Sequence, residues 1–178
     1  MISDKQEIRW VLRAQAGDRE ALDELLKIVQ SPLYRYILSL TTDAHLSEDI
    51  LQEVFVLIYR KIGWLREPEL FRAWSYRIAT RETFKFLKRE KRWRDQERDE
   101  EILQTVPAPQ PAAFAAEFAT QLPQLIACLS PGSRAVIVLH YLHEMTLDEV
   151  AAVLGLAVGT VKSRLAYGLT NLRQQLQK

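Results

Sequence analysis

Residues 71–94 carry the side chains with the clearest chemical potential in this chain of 178 residues. Within this segment 9 basic and 2 acidic residues give a net charge of +7, and aromatic rings alternate with the cations. Cations follow a nucleic-acid backbone and aromatic rings accept unstacked bases, so the pattern favours single-stranded nucleic acid, with a solvated helix face as the alternative. Phe71, Trp74 and Ile78 share an arc of about 60° and are expected in the core. The expected contacts are Tyr76, Arg77, Arg81, Lys85, Lys88 and Arg89.

A second candidate site lies near the C-terminus, where two helices are expected on either side of a short turn. Thr146 and Glu149 have the spacing of a capping box, and Gly155 ends the helix that follows. From Val158 onward, apolar residues recur on an arc of about 80°, which predicts a second helix with one buried face. Its other face, on which Ala166 is also expected, suits a DNA major groove, and a plain antiparallel helix pair is the alternative. The expected DNA contacts are Thr160, Lys162, Ser163, Arg164 and Tyr167.

A third candidate is an acidic and amide-bearing patch on the helix expected after Ser47. Its polar members and one exposed valine fall within an arc of about 100°, opposite the apolar face of the same helix. Such a patch suits a basic protein partner, and a solvated helix face is again the alternative. The expected protein contacts are Asp49, Gln52, Glu53, Phe55 and Val56.

Helices must position all three sets of side chains. The chain has only 6 Gly and 7 Pro, and no long stretch alternates apolar and polar residues as strands do, so the expected fold class is all-α. Asp18 and Ser47 are expected to cap the second and third helices. Pro32 is expected to interrupt or restart the second helix, and Gly63 to end the third. A long helix is expected from about residue 69 to residue 94.

Residues 95–117 are expected to link two helical domains. The segment begins with a run of charged residues and continues with three prolines at alternate positions, a composition that favours an extended linker. The expected domains therefore cover residues 1–94 and 118–178. In the second domain, Ser130 and Pro131 predict the start of a helix that runs through Leu142.

Four short segments carry motifs of a known family. Residues 146–155 and 157–165, the latter reading Ala-Val-Gly-Thr-Val-Lys-Ser-Arg-Leu, resemble region four of the extracytoplasmic-function (ECF) sigma factors. Residues 49–55, Asp-Ile-Leu-Gln-Glu-Val-Phe, resemble the part of region two that grips RNA polymerase. Residues 71–79, Phe-Arg-Ala-Trp-Ser-Tyr-Arg-Ile-Ala, resemble the start of the promoter-opening helix. From these motifs the chain is identified as a member of the ECF sigma factors.

The resemblance implies a helical region two at 1–94, a flexible linker and a helix-turn-helix region four at 118–178. The implied partners are core RNA polymerase, which binds the acidic patch, and promoter DNA, whose minus-ten and minus-thirty-five elements are read by the two domains. An anti-sigma factor or another regulatory protein is a further implied partner. The sequence departs from the family at Arg81, where Asn is common, and at Ala157, which offers no side-chain cap.

Other functions have weak support in the sequence. Cys128 is a single cysteine, and His140 and His143 stand outside any metal-binding motif, so no metal, cofactor or enzymatic activity is expected. No apolar run approaches the length of a membrane span, and the charged N-terminus does not resemble a signal peptide, so a cytoplasmic protein without membrane insertion is expected. The alternatives are a helix-turn-helix regulator that does not bind polymerase and a sigma mimic that sequesters an anti-sigma factor.

Overall fold

The computed structural model describes residues 4–89 and 122–176, and these residues form helices and turns without a strand. The chain divides into two compact units, the first ending at Phe86 and the second beginning at Leu87. The all-α class predicted from the sequence is confirmed. The linker predicted at residues 95–117 lies outside the described residues.

The helices of the first unit are α1 (Asp4–Gln15), α2 (Arg19–Thr41), α3 (Ala44–Lys61) and α4 (Phe71–Arg89), which extends three residues past Phe86. They form a bundle in which α1 packs against α2 and α2 packs against α3. Turns of 3₁₀-helix at Ile62–Trp64 and Pro68–Leu70 connect α3 to α4, and α1 also packs against both turns. Fully buried aliphatic side chains such as Leu25, Ile37 and Ile50 form the core.

Aspartate side chains cap the starts of α2 and α3. Asp18 caps α2 as predicted, since its carboxylate Oδ1 accepts the Ala21 N–H at 3.1 Å. The predicted cap at Ser47 is wrong, because Asp43 caps α3 and Ser47 lies buried one turn inside the helix. The Ser47 hydroxyl is 2.7 Å from the Thr41 hydroxyl, so it joins two helices instead of beginning one.

The predicted interruption at Pro32 is also wrong, because α2 runs without a break from Arg19 to Thr41. A proline inside a helix removes one backbone hydrogen bond and costs about 3 kcal/mol. Buried Val29 and Leu33 flank the proline and continue the apolar face of α2 on both sides. Packing of this long face against its neighbours offsets the local cost.

The fourth helix and its entry differ slightly from the sequence prediction. The third helix ends at Lys61, just before Gly63, and α4 begins at Phe71 after the turn that starts at Pro68. The helix is described to Arg89, and the rest of the predicted span to residue 94 lies outside the described residues.

The helices of the second unit are α5 (Leu122–Ala127), α6 (Pro131–Ile137), α7 (Leu147–Leu154) and α8 (Val158–Leu176), and the first three pack around α8. Ser130 caps α6 as predicted, accepting the Ser133 N–H at 3.3 Å, but the predicted continuous helix changes to a π-helical turn over Val138–Leu142. Buried Arg134 donates from Nη2 to the carbonyl oxygens of Ala127 and Leu129, at 2.6 and 2.9 Å, and so joins α5 to α6.

No single helix in the described ranges is both long and apolar enough to cross a membrane. Residues Leu147–Leu154 and Val158–Gln175 meet that test together, but as a pair bent by 105°.

Candidate functional site

The helix-turn-helix predicted in the second unit has the predicted bounds. The Thr146 hydroxyl accepts the Glu149 N–H at 3.3 Å, and the Glu149 carboxylate accepts the Thr146 N–H at 2.8 Å, which completes the capping box of α7. Gly155 ends α7 with φ of +69°, a left-handed conformation that glycine adopts without strain. The next helix begins at Val158, and the 105° bend between the two is typical of a helix-turn-helix.

The predicted recognition face of α8 is largely exposed. Thr160, Lys162 and Ser163 are exposed, whereas Arg164 and Tyr167 are half-buried. The Ser163 hydroxyl donates to the Gly159 carbonyl at 3.0 Å, so it already has one partner within the helix. Three residues of the first two turns therefore present side chains to solvent, as contact with a DNA groove requires.

Two positions on α8 do not follow the predicted faces. Ala166, expected on the exposed face, is buried at 2% exposure, and Leu165, expected on the buried face, is half-buried. Gly168 is buried, and a Cβ atom there would lie 2.6 Å from Cδ1 of Ile137. The glycine lets α8 approach α6 closely, but it lies about 160° from Ala166 around the helix and does not account for the burial of Ala166.

Tyr76, a predicted nucleic-acid contact on α4, belongs instead to the core. It is 6% exposed, and its ring meets that of fully buried Tyr36 edge-to-face with centroids 5.4 Å apart. The Thr80 hydroxyl donates to the Tyr76 carbonyl at 2.8 Å and lies 2.8 Å from the Tyr36 hydroxyl. Burial raises the pKa of both Tyr36 and Tyr76, so both phenols stay neutral. The sequence could not reveal this because Tyr36 lies on α2.

The cations predicted on α4 form an exposed face. Lys85 is engaged by Glu82, whose carboxylate lies 2.8 Å from the ammonium nitrogen one turn earlier on the helix. The predicted core is confirmed at Phe71 and Ile78, while Trp74 is half-buried. The exposed cations on this face are Arg77, Arg81, Lys85, Lys88 and Arg89.

The structure also exposes residues that the sequence reasoning did not select. Trp64, in the turn between α3 and α4, is 77% exposed, and Arg72 lies partly exposed in the first turn of α4. Arg72 donates from Nε to the buried carboxylate of Glu7 at 2.8 Å. Ile62 and Leu65, the apolar neighbours of Trp64, are buried, so no local pattern in the sequence marks Trp64 as the exposed member of this turn.

The acidic patch on α3 is exposed as predicted. Asp49, Gln52 and Glu53 face solvent, and Val56, at 42% exposure, lies one turn beyond Gln52 on the same face. Phe55 is half-buried and lines an open groove of about 540 Å³ between α2 and α3. The other residues lining this groove are Lys27, Gln30, Ser31, Tyr34, Glu48, Leu51 and Gln52.

Within residues 4–89 and 122–176, no group of three or more His, Cys, Asp or Glu side chains is placed to hold a metal ion.

Comparison with known sequences defines the class of protein to which these surfaces belong. The profile of Sigma-70 region 2 matches residues 25–93, and that of Sigma-70, region 4 matches residues 125–174. The first range contains the α3 and α4 faces, and the second contains the helix-turn-helix. The fold and these two matches are those of a sigma factor of the sigma-70 class.

Individual relatives identify the branch of that class. The chain is 30% identical over 179 residues to the ECF RNA polymerase sigma factor SigW of Bacillus subtilis, an alignment that covers 94% of this chain and 95% of SigW. It is 28% identical over 175 residues to the RNA polymerase sigma-H factor of Pseudomonas aeruginosa, covering 93% of this chain and 91% of that protein. The chain belongs to the ECF RNA polymerase sigma factors, and the family predicted from its motifs is confirmed.

Solved structures show the same fold. CnrH, solved in complex with the cytosolic domain of CnrY, is 25% identical with a TM-score of 0.70, and the match covers 97% of each chain. The sigma factor RpoE of Bartonella quintana, solved with the anti-sigma factor NepR, is 22% identical with a TM-score of 0.66, covering 87% of this chain and 96% of RpoE.

Proposed function

We propose that this sigma factor divides transcription initiation among three helical faces. In the proposal α3 binds core RNA polymerase, α4 opens the minus-ten element and α8 reads the minus-thirty-five element. As an ECF sigma factor, the protein is an alternative sigma factor that initiates transcription. The observation that carries the division of roles is that one chain matches both sigma regions and exposes polar or cationic side chains on all three helices.

The proposed domain limits are residues 1–94 for region two and 118–178 for region four, joined by a linker at 95–117. The proposed site of action is the cytoplasm, and the protein has no catalytic role of its own. Because CnrH was solved with the cytosolic domain of CnrY, we also infer that a regulatory protein binds this chain, and the family resemblance implies an anti-sigma factor in that role.

For polymerase binding, the proposed contacts are carboxylates and an amide on α3 with apolar side chains beside them. Glu53→Lys reverses a charge in the middle of this patch and is expected to reduce retention of the protein by core polymerase about tenfold or more. Glu67→Lys is the matched control, because Glu67 is also exposed but lies outside α3. Undiminished retention of Glu53→Lys, measured by pull-down with core polymerase, would remove α3 from the proposal.

For promoter opening, the proposed contacts are the exposed cations of α4. Arg81→Ala is expected to slow strand opening, because the guanidinium is available to bind a phosphate or a base edge. Lys85→Ala is the control on the same helix and is expected to have a smaller effect, since Glu82 already neutralises Lys85. Permanganate reactivity of unpaired thymines measures opening, and equal effects of the two variants contradict a specific role for Arg81.

For minus-thirty-five recognition, the proposed contacts lie in the first turns of α8. Lys162→Ala is expected to weaken DNA binding at all sequences and to lower the slope of log affinity against log salt by about 1. Arg173→Ala, an exposed cation in the last turn of α8, is the control. If the salt slope is the same for both variants, Lys162 does not bind a phosphate.

Run-off transcription tests the whole proposal. The purified protein and core polymerase are incubated with a library of random promoters, and the transcripts are sequenced from their 5′ ends. Initiation at defined sites that share two spaced elements is expected. A regulator that does not bind polymerase, or a mimic that sequesters an anti-sigma factor, gives no protein-dependent initiation.

A further inference from the structure

The connection between α3 and α4 is held at both ends by α1. The Gln15 amide nitrogen Nε2 donates to the carbonyl oxygens of Ile62 and Leu65, at 3.0 and 2.7 Å. Two turns earlier on the same helix, the Glu7 carboxylate pairs with Arg72 at 2.7 Å. These two contacts lie at the two ends of the connection. Gln15 joins α1 to the turn at Ile62–Trp64, and Glu7 joins α1 to the first turn of α4.

The Gln15 contact fixes the shape of the turn at Ile62–Trp64. The backbone leaves α3 here, and carbonyl oxygens at such a helix end can accept hydrogen bonds from outside the helix. The Ile62 oxygen also accepts the Leu65 N–H at 3.1 Å within the turn. Gln15 uses both amide hydrogens on two of these oxygens and so sets the distance between Ile62 and Leu65. Trp64 lies between them and is held 77% exposed. A side chain from α1 therefore determines the conformation of the turn that carries Trp64.

The Glu7 contact fixes the start of α4. The Glu7 side chain is 8% exposed, so its charge is largely removed from water and requires a partner. Arg72 supplies that partner through Nε and Nη2, which both contact Oε2 of Glu7, at 2.8 and 2.7 Å. Arg72 precedes Arg77 by five positions on the same helix. The orientation of the cationic face of α4 is thereby tied to α1.

We propose that Gln15 and Glu7 are positioning residues for promoter opening. They touch no DNA themselves, but they hold the turn and the first turn of α4 so that Arg77 and Arg81 meet the strands as these separate. The inference rests on the proposed role of α4. A general contribution of α1 to the stability of the bundle is the competing explanation, and the experiment must separate the two.

The test compares Gln15→Leu and Glu7→Gln in full-length protein bound to core polymerase. Two rates are measured for each variant. The first is the rate of opening of a duplex promoter, and the second is the rate of initiation from the same promoter with a mismatched bubble already present at the minus-ten element. Gln174→Leu, an exposed glutamine on α8, is the control. Hydrogen exchange across residues 62–72, measured by mass spectrometry, reports directly on the segment that Gln15 and Glu7 contact.

Opening of the duplex is expected to slow about three- to tenfold in either variant, the factor for loss of one or two partly buried hydrogen bonds. Initiation from the bubble template is expected to match that of the unmodified protein, because its strands are already separated. Retention by core polymerase is also expected to be unchanged, because the proposed polymerase contacts lie on α3. Exchange across residues 62–72 is expected to accelerate in Gln15→Leu.

Four results overturn the inference. Equal losses on duplex and bubble templates, or loss of polymerase retention, assign α1 a purely structural role. Unchanged exchange across residues 62–72 means that Gln15 does not restrain the turn. Normal duplex opening despite faster exchange means that the restraint does not matter for opening. If the proposed role of α4 in opening is itself wrong, Arg81→Ala leaves duplex opening unchanged. That result distinguishes failure of the proposed function from failure of this inference.

Discussion

The close approach of α6 and α8 at Gly168 gives a prediction whose sign depends on one methyl group. Glycine in a helix costs about 1 kcal/mol relative to alanine, so a helix alone gains that amount from Gly168→Ala. In this structure the new Cβ lies 2.6 Å from Cδ1 of Ile137, which is buried and must shift. Overpacking of this kind costs about 1–3 kcal/mol. The expected net effect is a loss of about 1 kcal/mol in the stability of the second unit.

The same substitution is expected to stabilise the protein once the obstructing methyl is removed. Ile137→Val deletes Cδ1 and leaves Cγ1 of residue 137 and Cβ of Ser133 as the nearest atoms to the new Cβ, at 3.5 and 3.6 Å. These are ordinary van der Waals distances, so the helix propensity of alanine remains and contributes about 1 kcal/mol. Ile137→Val by itself costs about 0.5–1.5 kcal/mol. Gly168→Ala is therefore expected to cost about 1 kcal/mol in the unmodified protein and to contribute about 1 kcal/mol in the Ile137→Val background. The difference between these two effects is a coupling energy of about 2 kcal/mol.

Amide hydrogen exchange in the full chain measures this cycle, because it gives opening free energies for α6 and α8 separately from the rest. Amides of α2 and α3 serve as the internal control and are expected to keep their exchange rates. If Gly168→Ala has the same sign in both backgrounds, contact with Ile137 does not explain the glycine. The close packing of α6 against α8 would then need another cause.

Three further predictions concern local contacts. Thr146→Ala removes the α7 cap and is expected to cost about 1 kcal/mol, seen as faster exchange in α7, whereas Thr146→Ser retains protection. Tyr36→Phe removes the hydroxyl that meets Thr80 and is expected to lower unfolding stability by about 1 kcal/mol; an unchanged urea midpoint contradicts this. Asp18 is expected to titrate below 3.8 in an NMR experiment, because the Ala21 N–H and then Arg13 lower its pKa. Its contribution to stability is present above pH 3.8 and is lost as the pH falls through the folded pKa.

Much of the candidate site was predictable because it is encoded by short-range patterns. The capping box at Thr146, the left-handed Gly155 and the helix start at Val158 depend on residues within one or two turns of each other. The exposure of Glu53 on α3 and of Arg81 on α4 follows from helical periodicity in the same way. Family motifs then assign these helices to sigma regions two and four.

Other features depended on which helices meet, and no local pattern contains that information. Tyr76 is an aromatic residue among cations, as a DNA contact would be, but it is buried because Tyr36, forty positions away, packs against its ring. Ser47 resembles a helix cap but is buried against Thr41, so Asp43 performs the capping instead. In both cases burial between helices overrides a preference that local sequence expresses correctly.

The sequence by itself determined the helical class, the sigma family, the bounds of the helix-turn-helix and the charged faces, because each follows from periodicity, capping or motif. The tertiary structure decided which aromatic rings are buried, why α8 needs Gly168 and how Gln15 of α1 holds a turn about fifty residues further along the chain. The physical reason is range: hydrogen bonds and packing between helices act over a few ångströms in space, whatever separation the sequence gives the residues that make them.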